Sequence, residues 1–191
     1  MPLHETADMN RNFLILRSGL TIYPSQDQAI DHILAKMLRD IPARFALLCD
    51  VSGQVISVRG DRAGVEPVAL GSLVAGDLAA SQEIARMLGE YQAYQITLRE
   101  GKAAHTFIAE AGAYLALLVQ VAADVPLGWA RMLILKNAQE LAAIVETLPE
   151  ELKTESDAPV PQAAESMFSD SDNLSEMFGN ALDDIWNSET H

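Results

Sequence analysis

The most constraining feature of this sequence is an ordered alternation of strands and helices whose middle helix carries almost no charge. Between residues 67 and 82 the only ionisable side chain is Asp77. A helix on the surface of a small domain normally buries one apolar stripe and exposes polar side chains elsewhere. A helix that is apolar or small all round needs cover on its second side, and a domain of this size has no further layer to supply it. We therefore expect a second subunit to cover this helix.

Apolar periodicity predicts the order helix, strand, strand, helix, strand, strand, strand, helix. The first helix begins near Pro24 with Ser25 as its N-cap, and the last begins at Pro126. The five strands and the uncharged helix cover, in chain order, residues 45–50, 54–59, 65–88 (the helix), 94–99, 103–109 and 114–121. Hairpins on both sides of a central helix predict an α+β domain, with a five-stranded antiparallel sheet and helices on its faces.

The sequence divides into four segments. Residues 1–24 form an N-terminal arm, in which two short apolar runs around a turn signal could make an accessory strand or a hairpin. Residues 25–148 form the domain, and residues 149–172 are a linker by composition. Residues 173–187 form an amphipathic segment behind this tether, with helical spacing of its apolar side chains. Its predicted partner-binding residues are Leu174, Met177, Phe178, Leu182, Ile185 and Trp186.

Charge and composition exclude several classes of protein. The net charge is −14, and residues 149–191 contain eleven acids and one base, so the domain itself is nearly balanced. Nucleic-acid binding needs a basic face, which the sequence does not offer. No apolar run is long enough to insert into a membrane, and the acidic N-terminus is unlike a secretory signal. We expect a cytoplasmic protein.

The sequence contains no pattern typical of catalysis or of cofactor or metal binding. The four histidines are scattered, and the one cysteine, Cys49, lies in an apolar strand where a buried, inert thiol is expected. No phosphate-binding loop or nucleophile elbow is present. We therefore predict a protein that is not an enzyme and that has no catalytic residues, no cofactor and no metal.

Small residues recur four apart along the uncharged helix. Gly71, Ala75 and Ala79 form one row, and Ser72, Gly76 and Ala80 form another. Such rows permit the close approach of a second helix, which would compensate for the cost of two helical glycines. We predict a dimer or partner interface through this helix and the strand that follows it. Its residues are Leu70, Gly71, Leu73, Val74, Ala75, Leu78, Ala79, Tyr94 and Ile96.

The order of elements, the turn Asp50-Val-Ser-Gly53 and the helix from Val68 to Ala80 resemble the Roadblock/dynein-light-chain family over about residues 27–148. The resemblance implies a homodimer whose sheets join edge to edge, with two middle helices side by side. It also implies a non-enzymatic regulator or scaffold that binds a small Ras-like GTPase and modulates its GTP hydrolysis or nucleotide state, as bacterial members of the family do. Hydrolysis would then use the GTPase's own catalytic groups, although Arg59 and Arg62 lie in a loop beside the interface helix.

Two other functions are consistent with the sequence. A structural adaptor without a GTPase partner would use the same interface. A small-molecule sensor is less favoured, because the apolar strands carry no convergent polar cluster that would form a pocket.

Overall fold

The computed structural model describes residues 13–149 and residue 152. The predicted amphipathic segment 173–187, and the predicted linker beyond Pro149 except for Leu152, lie outside the described residues. The structure settles the form of the N-terminal arm: β1 (Leu14–Ile15) and β2 (Thr21–Ile22) pair antiparallel as a short hairpin.

The domain contains the predicted succession of helices and strands, and its sheet is antiparallel throughout with the order β4-β3-β7-β6-β5. The prediction of a five-stranded antiparallel sheet with helices on its faces is confirmed. The elements after the arm are α1 (Pro24–Asp40), β3 (Ala43–Asp50), β4 (Val55–Gly60), α2 (Pro67–Met87), β5 (Ile96–Arg99), β6 (Ala104–Ala111), β7 (Leu115–Ala122) and α3 (Leu127–Glu146).

Strand β7 lies at the centre of the sheet, between β3 and β6. Its sequence is apolar on both faces, as expected for a strand covered on both sides. Leu117 and Val119 face one side of the sheet and belong to one core cluster, while Ala116 and Leu118 face the other side and belong to a second cluster. The two faces therefore have separate apolar cores.

Helices α1 and α3 together cover one face. They run antiparallel, so the start of α1 lies beside the end of α3. There the buried side chain of Gln26 donates hydrogen bonds to the carbonyl oxygens of Ile144 (2.9 Å) and Thr147 (3.2 Å). These carbonyls have no partner within their own helix. The larger core cluster lies under this layer, and it includes Leu16 and Ile22 of the arm. The arm therefore shares the core of the domain.

Helix α2 covers the opposite face alone. Val74 and Leu78 are its largest inward side chains, and they pack on Phe45, Leu47 and other residues of the smaller cluster. Five strands about 4.8 Å apart make a sheet about 24 Å wide, whereas one helix with its side chains is about 10 Å wide. One helix therefore covers only part of the face that two helices cover on the other side.

The turn between β3 and β4 joins the arm to the sheet through a fully buried carboxylate, Asp50. Its Oδ1 accepts hydrogen bonds from the N–H groups of Ser52 (3.0 Å) and Gln54 (2.8 Å) and from the Ser52 hydroxyl (2.7 Å), and its Oδ2 accepts one from the N–H of Ser18 (3.2 Å). Burial alone would raise the pKa of Asp50, but these hydrogen bonds outweigh it and hold the pKa below its ordinary value.

The predicted cap of the first helix was wrong by two residues. Tyr23 is the N-cap, Pro24 is the first helical residue, and Ser25 lies within the first turn. The Gln26 side chain accepts a hydrogen bond from the N–H of Tyr23 at 3.1 Å. Proline is favoured at the first helical position because its missing N–H would have no partner there. For the last helix, Pro126 is the cap residue and the helix begins at Leu127.

Candidate protein-interaction surface

Helix α2 exposes a row of apolar and small side chains, which we call the α2 outer row and define as Ala69, Ser72, Leu73, Gly76 and Ala80. These residues recur three and four apart and are all exposed. The side chain of Leu73 is 70% exposed, and a Cβ added at Gly76 would meet no atom within 4 Å. Further along the helix, Ile84 and Met87 are exposed as well. A continuous apolar face of this kind is typical of an interaction site.

A groove of about 540 Å³ runs beside this row, between α2 and the strands at one side of the sheet. Leu70 and Leu73 line its helical wall, while Ile108 of β6 and Leu118 of β7 line its floor. Most of the lining is apolar, and the side chains on the floor are themselves packed in the smaller core cluster. The groove lies over the part of the sheet that the single helix does not cover.

An ion pair between α2 and β5 borders the groove. The two terminal guanidinium nitrogens of Arg99 donate to the carboxylate of Asp77: Nη2 to Oδ1 at 2.5 Å and Nη1 to Oδ2 at 3.1 Å. Thr97 of the same strand approaches Asp77 at 3.4 Å. The hydrogen bonds and charge of Arg99 hold the pKa of Asp77 below its ordinary value, despite the opposing effect of burial. Asp77, the only acid between residues 67 and 82, therefore ties α2 to the edge strand.

Strand β5 is an edge of the sheet. It pairs with β6 from Ile96 to Arg99, and no other described strand pairs with its outer side. The side chain of Leu98 is exposed there. An edge strand of this kind presents unpaired N–H and C=O groups that can pair with another chain.

This geometry has close parallels among solved structures. MglB from Myxococcus xanthus is 28% identical and matches 68% of this chain and 96% of its own, with a TM-score of 0.61. The gliding protein MglB from Thermus thermophilus is 27% identical, matching 66% and 96% of the two chains with a TM-score of 0.58. A Roadblock/LC7 domain from Streptomyces avermitilis is 17% identical, matches 61% and 98%, has a TM-score of 0.54 and shares the fold. The chain has the Roadblock/LC7 fold, and it is similar to the MglB proteins.

Comparison with family sequence models and with curated proteins gives no match. The likeness to Roadblock structures therefore rests on the order of elements and the three-dimensional fold. This agrees with the sequence, in which the resemblance lay in diffuse small-residue patterns over the whole domain.

In the Roadblock fold, the seven predicted interface residues on α2 lie on different sides of that helix. Gly71, Val74, Ala75 and Leu78 are buried against the chain's own sheet, whereas Leu73 and Ala79 are exposed. Leu70 is half-buried in the groove wall, and Tyr94 and Ile96 are half-buried near the edge strand. That these nine residues contact a second subunit stays a prediction, and Leu73, Ala79 and the groove residues are the ones free to do so.

The two rows of small residues have different roles in this Roadblock domain. A Cβ at Gly71 would lie 2.6 Å from the carbonyl oxygen of Gly53 and 2.8 Å from Val55, so the turn after β3 already requires a glycine there. Every member of the second row, Ser72, Gly76 and Ala80, is exposed, whereas in the first row only Ala79 is. A close contact within the chain therefore accounts for Gly71, and Gly76 has no such explanation.

The connection from α2 to the edge strand is held by a buried carboxylate that the sequence did not reveal. Glu110 of β6 accepts hydrogen bonds from the side chains of Gln82 and Tyr91, both at 2.9 Å, and from the N–H of Gln95 at 3.3 Å. The bond to Glu110 raises the pKa of the Tyr91 hydroxyl. Tyr94 lies in this connection with a positive φ of 60°, which is uncommon for a residue with a side chain.

The remaining sequence candidates have structural roles. Cys49 is fully buried, and its thiol lies near the carbonyl oxygens of Gly71 and Ala116. Its pKa is raised to about 12, mainly by burial and to a lesser extent by the negative charge of Asp50. Arg59 forms an ion pair with Asp31 of α1, and Arg62 donates to the carbonyl oxygen of Val58 at 2.7 Å.

Within the described residues, no group of three or more metal-ligating side chains comes together. In the same part of the chain, no helix combines the length and apolarity that crossing a bilayer requires.

Proposed function

We propose that this chain is a non-enzymatic, homodimeric regulator or scaffold that binds a small Ras-like GTPase and modulates its GTP hydrolysis or nucleotide state. The observation that carries the proposal is the α2 face, where an exposed apolar row, an apolar groove and an open edge strand lie side by side. These features supply no reacting group, but together they offer a continuous docking surface.

The α2 face favours a second copy of the same chain as the first partner. Two copies related by a two-fold axis would bring their β5 strands edge to edge and their α2 helices side by side. The second α2 would then cover the part of the sheet that one helix leaves open. The exposed side chain of Leu73 would be removed from water, and the absence of a side chain at Gly76 would allow the helices to approach closely.

The GTPase partner is supported by the resemblance of the chain to the Roadblock family and by its similarity to the two MglB proteins. Bacterial members of the family regulate Ras-like GTPases. In the present chain, Arg59 and Arg62, which precede α2, are engaged within the domain, and this does not favour either of them as an arginine supplied to the GTPase. We therefore infer that the chain acts by positioning the GTPase's own groups.

The dimer is tested by substituting two glycines on different helices, each of which has open space around it within the chain. Gly76 on α2 and Gly128 on α3 are both helical and have no atom within 4 Å of an added Cβ. We expect Gly76→Glu to convert the dimer to a monomer, because it buries an unpaired charge between the two helices. Gly128→Glu is the matched control and should leave the mass unchanged. Light scattering at micromolar concentration measures both, and a monomeric wild type would exclude the proposed dimer.

The GTPase is tested by capturing native partners on the immobilised chain in the presence of GTP or of GDP. We expect a Ras-like GTPase to be retained preferentially in its GTP form, and its hydrolysis rate to change when the chain is added. Replacing both Arg59 and Arg62 with Ala should leave any stimulated turnover within a few-fold. A thousandfold loss would show instead that one of these arginines acts on the phosphoryl group.

A further inference from the structure

Helices α1 and α3 cover the same face of the sheet, and each turns a row of side chains away from it. The row on α3 is exposed throughout, and we call it the α3 outer row; its residues are Trp129, Met132, Lys136, Gln139, Ala143 and Glu146. The row on α1 is exposed apart from one half-buried alanine, and we call it the α1 outer row; its residues are Gln28, His32, Ala35 and Arg39. Both rows alternate steps of three and four residues, which is the spacing at which one helix packs lengthwise against another. The outer side of this layer therefore has the spacing of a helix-packing surface.

The α3 outer row is complementary to itself when it is reversed. If a second copy runs antiparallel, with the reversal centred between Asn137 and Ala138, Met132 lies opposite Ala143. Large side chains opposite small ones allow two helices to interdigitate. Met132 and Trp129 are 58% and 39% exposed in the single chain, and such a contact would remove apolar surface of both from water. The outer side of α3 therefore has the properties of one half of a symmetric contact.

The α1 outer row has the same property. Reversal about its midpoint, between Ile33 and Leu34, places His32 opposite Ala35, which is again a large side chain opposite a small one. It also places Arg39 opposite the first turns of α1, which contain no Lys or Arg. Each of the two helices can therefore pack on a reversed copy of itself.

The two centres of reversal lie side by side in the folded chain. The side chain of Gln26 contacts the carbonyl oxygens of Ile144 and Thr147, and this contact fixes how the antiparallel helices are aligned. At 1.5 Å of rise per residue, the centre on α1 lies about 11 Å from Gln26, and the centre on α3 lies about 12 Å from the midpoint of Ile144 and Thr147. A single two-fold axis can therefore relate both helices to those of a second copy.

The charges of the layer favour the same reversal. The second half of α1 and the first half of α3, residues 33–40 and 127–137, contain four cations and one carboxylate. The other halves contain four carboxylates, one of them paired with an arginine of the chain, and no Lys or Arg. The two-fold axis places each cationic half on the acidic half of the other copy, and Lys136 then faces Gln139 and Glu140 of that copy. Within its own chain, Lys136 reaches Glu140 only at 3.9 Å.

The size of the layer sets the strength of the contact. Helices α1 and α3 contain 17 and 20 residues. Their layer is therefore about 26 Å long and about 20 Å wide, or about 500 Å² for each copy. This is near the lower limit for a specific interface, and copies that each carry a net charge of −14 also repel one another. We therefore expect a dissociation constant of roughly 0.1–1 mM, above the micromolar range in which the α2 dimer is measured.

We propose that two copies of this chain stack through the outer sides of α1 and α3, antiparallel and related by one two-fold axis. Lys136 of each copy pairs with Glu140 of the other, and Met132 of each copy packs on Ala143 of the other. The contact uses the face of the sheet opposite to α2, so it leaves the α2 outer row and its groove free. The proposal rests on neither the GTPase nor the α2 dimer.

The test uses the full chain with Gly76→Glu, which removes the proposed α2 association and does not touch the layer. Sedimentation equilibrium from micromolar to millimolar concentration should show a monomer–dimer equilibrium. A further Lys136→Glu or Glu140→Lys should lower the association constant roughly tenfold, because like charges then meet at two symmetric positions. Lys102→Glu, at an exposed lysine in the β5–β6 turn, changes the charge as Lys136→Glu does and is the matched control. It should leave the association constant nearly unchanged.

An equimolar mixture of the two charge variants supplies the decisive measurement. The introduced glutamate of one variant then faces the introduced lysine of the other, so association should return to the level of the chain that carries Gly76→Glu alone. Neither a general effect of charge nor partial unfolding of one variant would produce this recovery. NMR locates the contact: the methyl signal of Met132 should shift with concentration, and that of Met87 on α2, which is 80% exposed, should not.

Three results would overturn the proposal. The first is a chain that stays monomeric at millimolar concentration. The second is a pair of charge variants that associate as the parent chain does, or whose mixture associates no better than either variant alone. The third is a concentration-dependent shift of the Met87 signal without one of the Met132 signal, which would place the association on the α2 face instead.

Discussion

The two faces of the sheet differ in how completely they are covered. On one face, α1, α3 and the arm bury a cluster that includes Leu34, Ile134 and Leu141, all fully inaccessible. On the other face, α2 alone buries a smaller cluster and leaves Leu73 and Met87 70% and 80% exposed. Both faces belong to the same strands, and β7 is apolar on both sides. The difference therefore arises from the number of helices and not from the sheet.

This comparison separates residues that stabilise the fold from residues that are available for binding. Side chains under the two-helix layer have all their contacts within the chain, so their effect on stability does not depend on a partner. Side chains of the α2 outer row have few contacts within the chain, and their apolar surface can be buried only by another molecule. Removing an interaction from the two-helix face should therefore lower the stability equally at every protein concentration. The effect of removing one from the α2 face should depend on that concentration.

The largest expected effect is on the fully covered face. Leu141→Ala should lower the free energy of unfolding by about 2–5 kcal/mol at every protein concentration, because it leaves a cavity in a packed core. Leu73→Ala should cost less than about 0.5 kcal/mol in the isolated chain and should weaken self-association instead. Urea unfolding at two protein concentrations measures both. Equal, concentration-independent losses for the two variants would contradict the difference between the faces.

The next effect concerns Asp50, which lies on the covered face below the arm. Asp50→Asn should cost about 1–3 kcal/mol, since an amide cannot accept all the hydrogen bonds that the buried carboxylate accepts. The folded state lowers the pKa of this group, so its contribution is complete above the ordinary aspartate pKa of about 3.9 and is lost as the pH falls below it. Acid unfolding of the wild type and the variant should therefore converge below about pH 3.9. Curves that stay parallel through this range would mean that Asp50 does not carry the effect.

The two central glycines of α2 provide a sharper comparison, because one points inward and the other outward. Gly71→Ala should destabilise the chain by about 1–3 kcal/mol, since its methyl group would clash with the carbonyl oxygen of Gly53. Gly76→Ala should instead stabilise the isolated chain by up to about 1 kcal/mol through helix propensity. Thermal unfolding below the concentration of self-association measures both signs, and two changes of the same sign would show that the inward and outward assignments are wrong.

The smallest expected effect is that of the Asp77–Arg99 ion pair, which links α2 to the edge strand. Arg99 is largely exposed, so Arg99→Ala should cost less than about 1 kcal/mol in the isolated chain. Its main effect should be on self-association, because the pair borders both elements of the proposed interface. Sedimentation of the Arg99→Ala variant measures this effect on self-association, and Arg131→Ala, at another exposed arginine, is the control. If both variants associate as the wild type does, the ion pair has no part in the interface.

The sequence was sufficient for the order and type of the elements. Apolar runs bounded by turn residues marked the strands, and the apolarity of β7 on both faces agrees with its position at the centre of the sheet. The near absence of charge on α2 predicted an exposed apolar face. These features are local and periodic, so they can be recognised without knowing which segments meet in space.

The tertiary structure alone decided which residues of α2 face the sheet. Because that helix is apolar or small on every side, its periodicity does not distinguish the row containing Gly71 from the row containing Gly76. The distinction comes from the backbone of Gly53, which approaches Gly71 from a different element. The same holds for the contacts of Asp77 with Arg99 and of Asp50 with Ser18, which join residues 22 and 32 positions apart. Pairing at such separations depends on how the whole chain packs, and no local pattern records it.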